Sequence, residues 1–264
     1  MSFTALKAVA LLSMLWDHVT ATWPLGSWIW EHFFPTAPEL PALAVTFSRT
    51  TAFLGRIAAP IFLFCIANGF LHTKDRKRYA LRLLVFAVLA QFPYYLANRV
   101  WMGGQLSFWE AELNIIFTQL LGLIALTLWE QGQEKHWGLG ALGAAAVYLL
   151  AEIVPVEGGG RYILFILAFY LTRDWAVWKR ALLWLALLPL TRYSWTWEII
   201  TTAMDGSLDG RWLYLYILNV FGPYLGVMLT FAYNGKKGAE HPAWKYLWYG
   251  FYPAHLLVLG LVGG

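Results

Sequence analysis

Apolar runs long enough to cross a membrane recur along the whole of this 264-residue sequence. A helix needs about 20 mostly apolar residues to span the hydrocarbon core of a bilayer. In that core every backbone N–H and C=O group must be paired within the protein, and a helix pairs them within one segment. The pattern therefore predicts an all-α fold: a polytopic transmembrane helical bundle that forms a single domain over residues 1–264.

The predicted spans number about nine, within a range of eight to ten. They lie at residues 4–23, 50–72, 77–98, 112–130, 137–154, 161–173, 178–190, 211–233 and 245–262. The runs at 161–173 and 178–190 are short, and we interpret them as tilted helices, re-entrant segments or halves of one broken span. The first run has no basic n-region and no convincing cleavage site, which favours a retained helix over a signal peptide.

Composition narrows the class of protein further. Charged residues make up 13% of the chain, against about 25% in an average soluble domain. This scarcity excludes a disordered protein, a nucleic-acid-binding tail and an ordinary soluble enzyme, so no nucleic-acid partner is expected. Cys65 is the single cysteine, which excludes an internal disulfide and a cysteine zinc site. We expect no bound metal.

The positions of Lys and Arg predict the orientation of the bundle. With the loop at 72–82 placed in the cytoplasm, 13 of the 19 Lys and Arg residues lie on the cytoplasmic side. Cytoplasmic loops carry an excess of these residues, so the N-terminus is expected inside and the C-terminus outside. The longest outer connection, Pro24 to Ser48, is interpreted as a loop or a short interfacial helix. Many of the 16 Trp residues fall at outer helix ends, where an aromatic belt is favoured over stacking on a ligand.

Ionisable residues inside predicted spans are the candidate site residues, because burying them in a membrane is costly. Asp17 and His18 lie about 14 residues into the first helix, beyond the midplane of the membrane. A neutral imidazole can take a proton from an attacking amine or hydroxyl, while a nearby carboxylate orients the ring and stabilises the imidazolium. The alternative is a structural polar pair that fastens the first helix to its neighbours.

His255 lies ten residues into the last span, two residues after Pro253. The proline is expected to kink that helix and to free backbone carbonyls at membrane depth. Such an irregular spot is tolerated where protein or water covers it, so His18 and His255 are predicted to share one central cavity. The alternative for His255 is a hydrogen-bonded packing residue.

Two further polar residues lie in apolar surroundings. Arg56, in the sequence Gly55-Arg56-Ile57-Ala58-Ala59-Pro60, is expected to reach the headgroups, to pair with Asp17 or to hold an anionic group. Asn114 is expected either to hydrogen-bond a reacting group or to join two helices, as buried amides often do.

The most basic stretch runs from Thr73 to Arg82. Its residues either set the topology of the loop or bind phosphates, since Arg matches phosphate oxygens with paired hydrogen bonds. The candidate phosphate-binding residues, with two lysines predicted on the same side, are Arg76, Lys77, Arg78, Tyr79, Arg82, Lys236 and Lys245. The chain has no Walker motif, no dinucleotide fingerprint and no Gly-x-Ser-x-Gly sequence.

An ordered set of short motifs resembles the TraX family of integral membrane acetyltransferases, named for the F-pilin acetylation protein. The set covers both ends of the chain and leaves out roughly residues 130–210. Its members are Leu6-Lys7, Met14-Leu15-Trp16-Asp17-His18, Gly55 to Pro60, Gly69, Thr73, Arg78 to Arg82, Gln91-Phe92-Pro93, Leu113 to Thr118, Tyr233 to Gly238, Lys245-Tyr246 and Phe251 to Leu256.

The resemblance implies transfer of an acetyl group from acetyl-CoA, classically to the N-terminal amine of pilin. The family is similar to a larger group that includes the acyltransferase-3 proteins and heparan-α-glucosaminide N-acetyltransferase. In that group an intramembrane His serves acetyl transfer from cytosolic CoA to an acceptor across the membrane. By this likeness His18 is the expected catalytic residue, and the protein is expected in the bacterial cytoplasmic membrane.

The predicted function is thus an N- or O-acetyltransferase. Its acceptor would be a pilin-like peptide, an amino sugar or another small molecule at the outer face. His18 would be the base and Asp17 would orient it, with Arg56 or Asn114 stabilising the oxyanion. One alternative is a secondary transporter in which Asp17, His18 and His255 relay protons, although no inverted repeat is visible. Another is a scaffold for pilus assembly without catalysis.

Overall fold

A computed structural model describes residues 1–23, 25–36, 52–238, 241 and 244–263. Within these ranges the chain is helical apart from its turns, loops and one isolated bridge between Leu113 and Val156. The helices are α1 (Phe3–Thr22), α2 (Leu25–Phe33), α3 (Ala58–His72), α4 (Arg76–Trp101), α5 (Ile115–Gln133), α6 (Trp137–Ile153), α7 (Gly159–Leu171), α8 (Val177–Leu190), α9 (Tyr193–Met204), α10 (Gly210–Phe231) and α11 (Trp244–Val262).

Polar caps mark where the apolar runs begin as helices. The Ser2 hydroxyl accepts a hydrogen bond from the Ala5 N–H at the start of α1, at 3.2 Å. The Asp75 carboxylate accepts one from the Arg78 N–H at the start of α4, at 2.9 Å. Each cap satisfies one of the backbone N–H groups that the first turn of a helix leaves unpaired.

The all-helical prediction is confirmed for the described part of the chain, and helices lie in all nine predicted runs. Among the residues that the structure describes, three helical segments are long and apolar enough to cross a membrane: Ala52–His72, Arg76–Trp101 and Ile115–Gln133. Four shorter apolar segments follow, at Gly138–Ile153, Gly159–Leu171, Tyr216–Phe231 and Leu247–Val262. The count of about nine spans stays a prediction. The two short runs near residue 175 form separate helices, α7 and α8.

Two helices were not among the predicted spans. Helix α2 has nine residues and lies inside the connection from Pro24 to Ser48, which was interpreted as a loop or a short interfacial helix. The remainder of that connection, residues 37–48, lies outside the described residues, as do Pro24 and Arg49. Helix α9 is the second, and its Thr196 hydroxyl lies 3.3 Å from the Tyr216 hydroxyl of α10.

The first of two compact units comprises Met1–Ile61 and Trp175–Ala239. Its two chain segments are joined where the start of α1 meets the stretch after α10. The Phe3 N–H donates to the Lys236 carbonyl at 2.9 Å, and the Thr4 N–H donates to the Lys237 carbonyl at 3.1 Å. The Thr4 hydroxyl donates to the same Lys237 carbonyl at 2.9 Å. Residues far apart in sequence therefore close this unit.

The second unit comprises Phe62–Asp174 and Glu240–Gly264. Helices α5, α6 and α7 pack against one another, and α11 packs along α4. Close approach of α11 to α4 depends on Gly260, since a methyl group there would lie 2.6 Å from the Leu96 Cβ. The core is apolar and includes Leu123, Leu126, Ile163 and Ile166, all nearly inaccessible to solvent.

Candidate functional site

The helical run from 52 to 72 is interrupted at Arg56 and Ile57, which form a turn. Pro60 explains the interruption, because its ring removes one helical hydrogen bond and clashes with the carbonyl four residues earlier, that of Arg56. The backbone closes with tighter bonds instead, from the Arg56 N–H to the Phe53 carbonyl at 3.2 Å and from the Ile57 N–H to the Leu54 carbonyl at 3.4 Å. We call residues 53–57 the helix break.

Helix α1 contacts the helix break through a serine and an aspartate one turn apart. The Ser13 hydroxyl lies 2.6 Å from the Leu54 carbonyl oxygen and 3.2 Å from that of Gly55. Four residues later Asp17 packs against Gly55, where a methyl group added to the glycine would overlap the carboxyl group. Residues four apart lie on the same face of a helix, so this face of α1 is fitted to the break.

Arg56 follows Gly55 directly, so its backbone lies next to the position where the Asp17 carboxyl group packs. Asp17 is half-buried, whereas the Arg56 side chain is exposed. The structure therefore brings together two of the residues that the sequence singled out. The pairing of Arg56 with Asp17 was one of three interpretations given to this arginine.

Helix α10 contacts the same break through two glycines. A methyl group on Gly222 would lie 2.7 Å from the Arg56 Cβ, and one on Gly226 would lie 3.2 Å from the Ile57 Cα. Small residues four apart let helices in a membrane approach closely. Sequence analysis singled out neither these glycines nor Ser13. The available signals were the Gly-x-x-x-Gly spacing in α10 and the four-residue spacing between Ser13 and Asp17.

His18 follows Asp17 directly on α1 and is half-buried. Neighbouring residues on a helix point about 100° apart, so His18 lies on a different face from the one fitted to the break. The hydroxyl of Thr22 donates to the backbone carbonyl of His18 at 2.9 Å. This bond does not involve the imidazole ring. The first unit thus contains Asp17, His18 and Arg56.

His255 and Asn114 belong to the second unit, so the predicted cavity shared by His18 and His255 stays a prediction. The His255 side chain is 8% exposed, and its Nδ1 lies 2.7 Å from the Phe251 carbonyl oxygen. Nδ1 is therefore the donor in that bond, which assigns the tautomer of the ring. The ring stacks on Phe251 with centroids 4.9 Å apart.

Asn114 is fully buried and caps the start of α5. Its Nδ2 donates to the Ala87 carbonyl and to the Gln91 Oε1, each at 2.8 Å. Its Oδ1 accepts from the Ile116 N–H at 3.1 Å. Both amide hydrogens and the carbonyl oxygen are thus engaged, and they join α5 to α4. This matches the interpretation of Asn114 as a residue that joins helices, whereas its catalytic role stays a prediction.

In the basic stretch two arginines are paired with carboxylates. Arg76 forms a two-point ion pair with Glu130, in which its Nη2 lies 3.0 Å from Oε1, and it also lies over the Phe70 ring. The Arg78 Nε lies 3.0 Å from Asp75 Oδ2. Charges that are paired in this way are less available to a phosphate.

The other candidate phosphate-binding residues differ in exposure. Lys77 and Arg82 are exposed, whereas Tyr79 is buried, with its hydroxyl against Gly69. Lys236 is exposed and belongs to the first unit. Lys245 lies in α11, and its side chain is outside the described residues. Among the side chains described, no group of three His, Cys, Asp or Glu residues is arranged to hold a metal ion.

Comparison with known proteins gives a family and a relative. A family model described as TraX protein matches residues 2–263. The chain is also similar to a protein of Dichelobacter nodosus named probable fimbrial assembly protein FimC, serogroup H1. The two are 28% identical over 265 residues, which cover 96% of this chain and 92% of that protein. No solved structure matches the chain. Because the family model covers nearly the whole chain, this protein belongs to the TraX family.

Proposed function

We propose that this protein is a membrane-embedded acetyltransferase that moves an acetyl group from acetyl-CoA to an amine or hydroxyl acceptor. The observation that carries the proposal is the placement of Asp17 against a helix break that also contains Arg56, with His18 next in the chain. Broken helices inside membrane proteins commonly form the sites where charged or polar groups are handled. Membership of the TraX family supports the same reaction class.

In the proposed reaction His18 is the general base. Its imidazole takes the proton from the acceptor nitrogen or oxygen as that atom attacks the thioester carbonyl carbon. The new N–C or O–C bond forms, the C–S bond breaks, and the imidazolium returns the proton to the departing CoA sulfur. Asp17 stabilises the imidazolium by its charge. Arg56 lies beside Asp17 and stabilises negative charge on the carbonyl oxygen.

The donor is proposed to bind through its phosphates to the exposed basic residues of the stretch from Thr73 to Arg82. Lys77 and Arg82 are the strongest candidates there, because Arg76 and Arg78 are paired with Glu130 and Asp75. A cytoplasmic location of this stretch is supported by its density of positive charge. Lys236 and Lys245 remain proposed contributors.

The acceptor is proposed to approach from the outer face. Asp17 lies 14 residues beyond Phe3, the first residue of α1, a rise of roughly 21 Å along the helix. If α1 begins in the cytoplasm, this depth is past the middle of the bilayer. The name of the Dichelobacter nodosus relative, a probable fimbrial assembly protein, favours a pilin-like acceptor over an amino sugar.

Purified protein in liposomes, supplied with radiolabelled acetyl-CoA and a pilin-like peptide, tests this function. The expected result is acceptor-dependent release of CoA thiol together with labelled peptide, and loss of both in His18→Ala. A protein that binds no acetyl-CoA and releases no thiol with any amine or hydroxyl acceptor would refute the proposal.

Secondary transport is a second candidate, favoured by the helix break beside Asp17, because transporter sites are often built at discontinuous helices. The two functions differ in what they consume. A transporter moves solute across the liposome membrane without cleaving a thioester, whereas the acetyltransferase releases CoA in proportion to product. Measuring solute flux and thiol release in the same liposomes separates them.

A further inference from the structure

The Ser13 hydroxyl bonds the helix break at a point where the backbone departs from a regular helix. Its oxygen lies 2.6 Å from the Leu54 carbonyl oxygen, a short and strong hydrogen bond, with a second contact of 3.2 Å to that of Gly55. The Leu54 carbonyl oxygen also accepts the bond from the Ile57 N–H at 3.4 Å, so Ser13 adds a second and shorter hydrogen bond at the break. Ser13 therefore stabilises the broken conformation as well as joining it to α1.

Ser13 and Asp17 contact the break together. They lie one turn apart on α1, and the carboxyl group of Asp17 occupies the space that the missing side chain of Gly55 leaves. The hydrogen bond at Ser13 and the packing at Asp17 thus fix both the position and the rotation of α1 relative to the break. Because Arg56 is part of the break, the same two contacts fix where the backbone of Arg56 lies relative to Asp17.

Contacts from α10 cannot replace this hydrogen bond. Gly222 and Gly226 lie so close to Arg56 and Ile57 that an added methyl group would overlap them, but a glycine has no side chain with which to bond a carbonyl group. These contacts limit how closely the break can approach α10 and supply no side-chain hydrogen bond to it. The directional restraint comes from Ser13.

We infer that Ser13 is a positioning residue of the site, whose hydroxyl holds the helix break in register with α1 and so keeps Asp17 beside Arg56. The kinetic consequence of this inference rests on the proposed acetyl transfer, whereas its structural consequence does not. A shift of about 1 Å in a catalytic group can lower the rate by up to about 100-fold. Loss of the hydroxyl is therefore expected to lower kcat rather than to weaken donor binding.

Four variants test the inference. Ser13→Ala removes the donor, Ser13→Cys keeps a similar volume with a weak donor, and Ser13→Thr keeps the hydroxyl. Thr127→Ala is the control, because the Thr127 hydroxyl donates to the Leu123 carbonyl of its own helix at 2.8 Å, in the second unit. With acetyl-CoA as donor, kcat should fall about tenfold or more in the first variant and less in the second, with KM for acetyl-CoA changing less than twofold. The Thr variant and the control should stay within twofold of wild type.

A second readout does not require activity. Dicyclohexylcarbodiimide modifies protonated carboxyl groups in membranes, and mass spectrometry locates the product on the peptide that contains Asp17. Modification should be faster in Ser13→Ala and Ser13→Cys, where the helix break is no longer held against the Asp17 carboxyl group, and unchanged in Ser13→Thr. Asp17→Asn verifies the labelled position.

The outcomes separate the two proposals. If wild type transfers no acetyl group but labelling follows the expected order, the function fails and the positioning role stands. If wild type is active while Ser13→Ala and Ser13→Cys match it in kcat and labelling, the positioning role is overturned. Should Ser13→Ala fail to fold, Ser13→Cys decides the question on the same two measurements.

Discussion

Gly55 lies against the carboxyl group of Asp17 so closely that no side chain fits between them. The glycine comes directly before the turn at Arg56, so the residue that gives Asp17 its space also leads into the interruption of the helix. This contact makes the position of Asp17 sensitive to a single added methyl group.

Gly55→Ala is therefore expected to displace the Asp17 carboxyl group and to lower kcat at least tenfold, in proportion to the shift of the catalytic group. The control is Gly250→Ala in α11, where an added methyl group meets no atom within 4 Å. Replacing glycine within a helix normally stabilises the folded state by about 0.5–1 kcal/mol. Thermal unfolding in detergent and initial rates measure both effects. Equal transfer rates for the two variants would contradict the role of the Gly55 contact in positioning Asp17.

His18→Ala is expected to lower the rate of acetyl transfer by about 10²–10⁴-fold, the usual cost of losing a general base. Binding of acetyl-CoA should stay close to that of wild type, because the base acts in the transition state. The matched control is His32→Ala, which removes an exposed imidazole from α2. A His18→Ala enzyme within tenfold of wild type would assign the proton transfer to another residue.

Lys77→Ala combined with Arg82→Ala is expected to raise KM for acetyl-CoA and to make donor binding less dependent on salt, since two exposed charges are lost. The control combines Lys135→Ala with Arg99→Ala, which removes two charges elsewhere in the second unit. Titration of CoA binding at several salt concentrations gives the comparison. Unchanged binding in the first pair would remove this stretch from the donor site.

Asn114→Ala is expected to lower the stability of the second unit, because it leaves the buried Ile116 N–H and Ala87 carbonyl with fewer partners. The cost of such losses is about 1–3 kcal/mol. Asn98→Ala is the control, since its Nδ2 donates to the Tyr94 carbonyl at 2.9 Å within its own helix and does not join two helices through that bond.

Thermal unfolding and transfer rates should be measured on both asparagine variants. We expect Asn114→Ala to lower the midpoint temperature of thermal unfolding strongly. Its rate of acetyl transfer per folded molecule should stay near that of wild type. A normal midpoint with a strongly reduced rate would instead assign Asn114 to the chemistry.

Most of the helices could be predicted from the sequence because an apolar run marks each of them locally, and at α1, α4, α5 and α6 a capping side chain marks where the helix begins. Helix α9 was not predicted, since Thr and Trp residues interrupt its apolar character. The motif from Gly55 to Pro60 was recognised as a feature, yet its meaning as a helix break requires knowing which carbonyl Pro60 leaves unpaired. Local sequence signals therefore predict the helices and approximately where each one begins and ends.

The partners of the site residues could not be predicted, because they come from distant parts of the chain. The pairing of Arg76 with Glu130 joins α4 to α5, and the contact of Gly222 with Arg56 joins α10 to the break. No periodicity within one helix specifies which residue of another helix it will face. The sequence therefore singled out Arg76 as a candidate residue, whereas its pairing with Glu130 became evident only from the structure.

The contact between α10 and the helix break also constrains how the protein is made. Gly222 follows Ile57 by 165 residues (222 − 57), and ribosomes add about 5–20 residues per second. Synthesis of the intervening chain thus takes roughly 10–30 s before α10 exists to cover the other side of the break. Ser13 is already present during that interval, so its hydrogen bond would protect the open turn in the bilayer while the rest of the chain is synthesised.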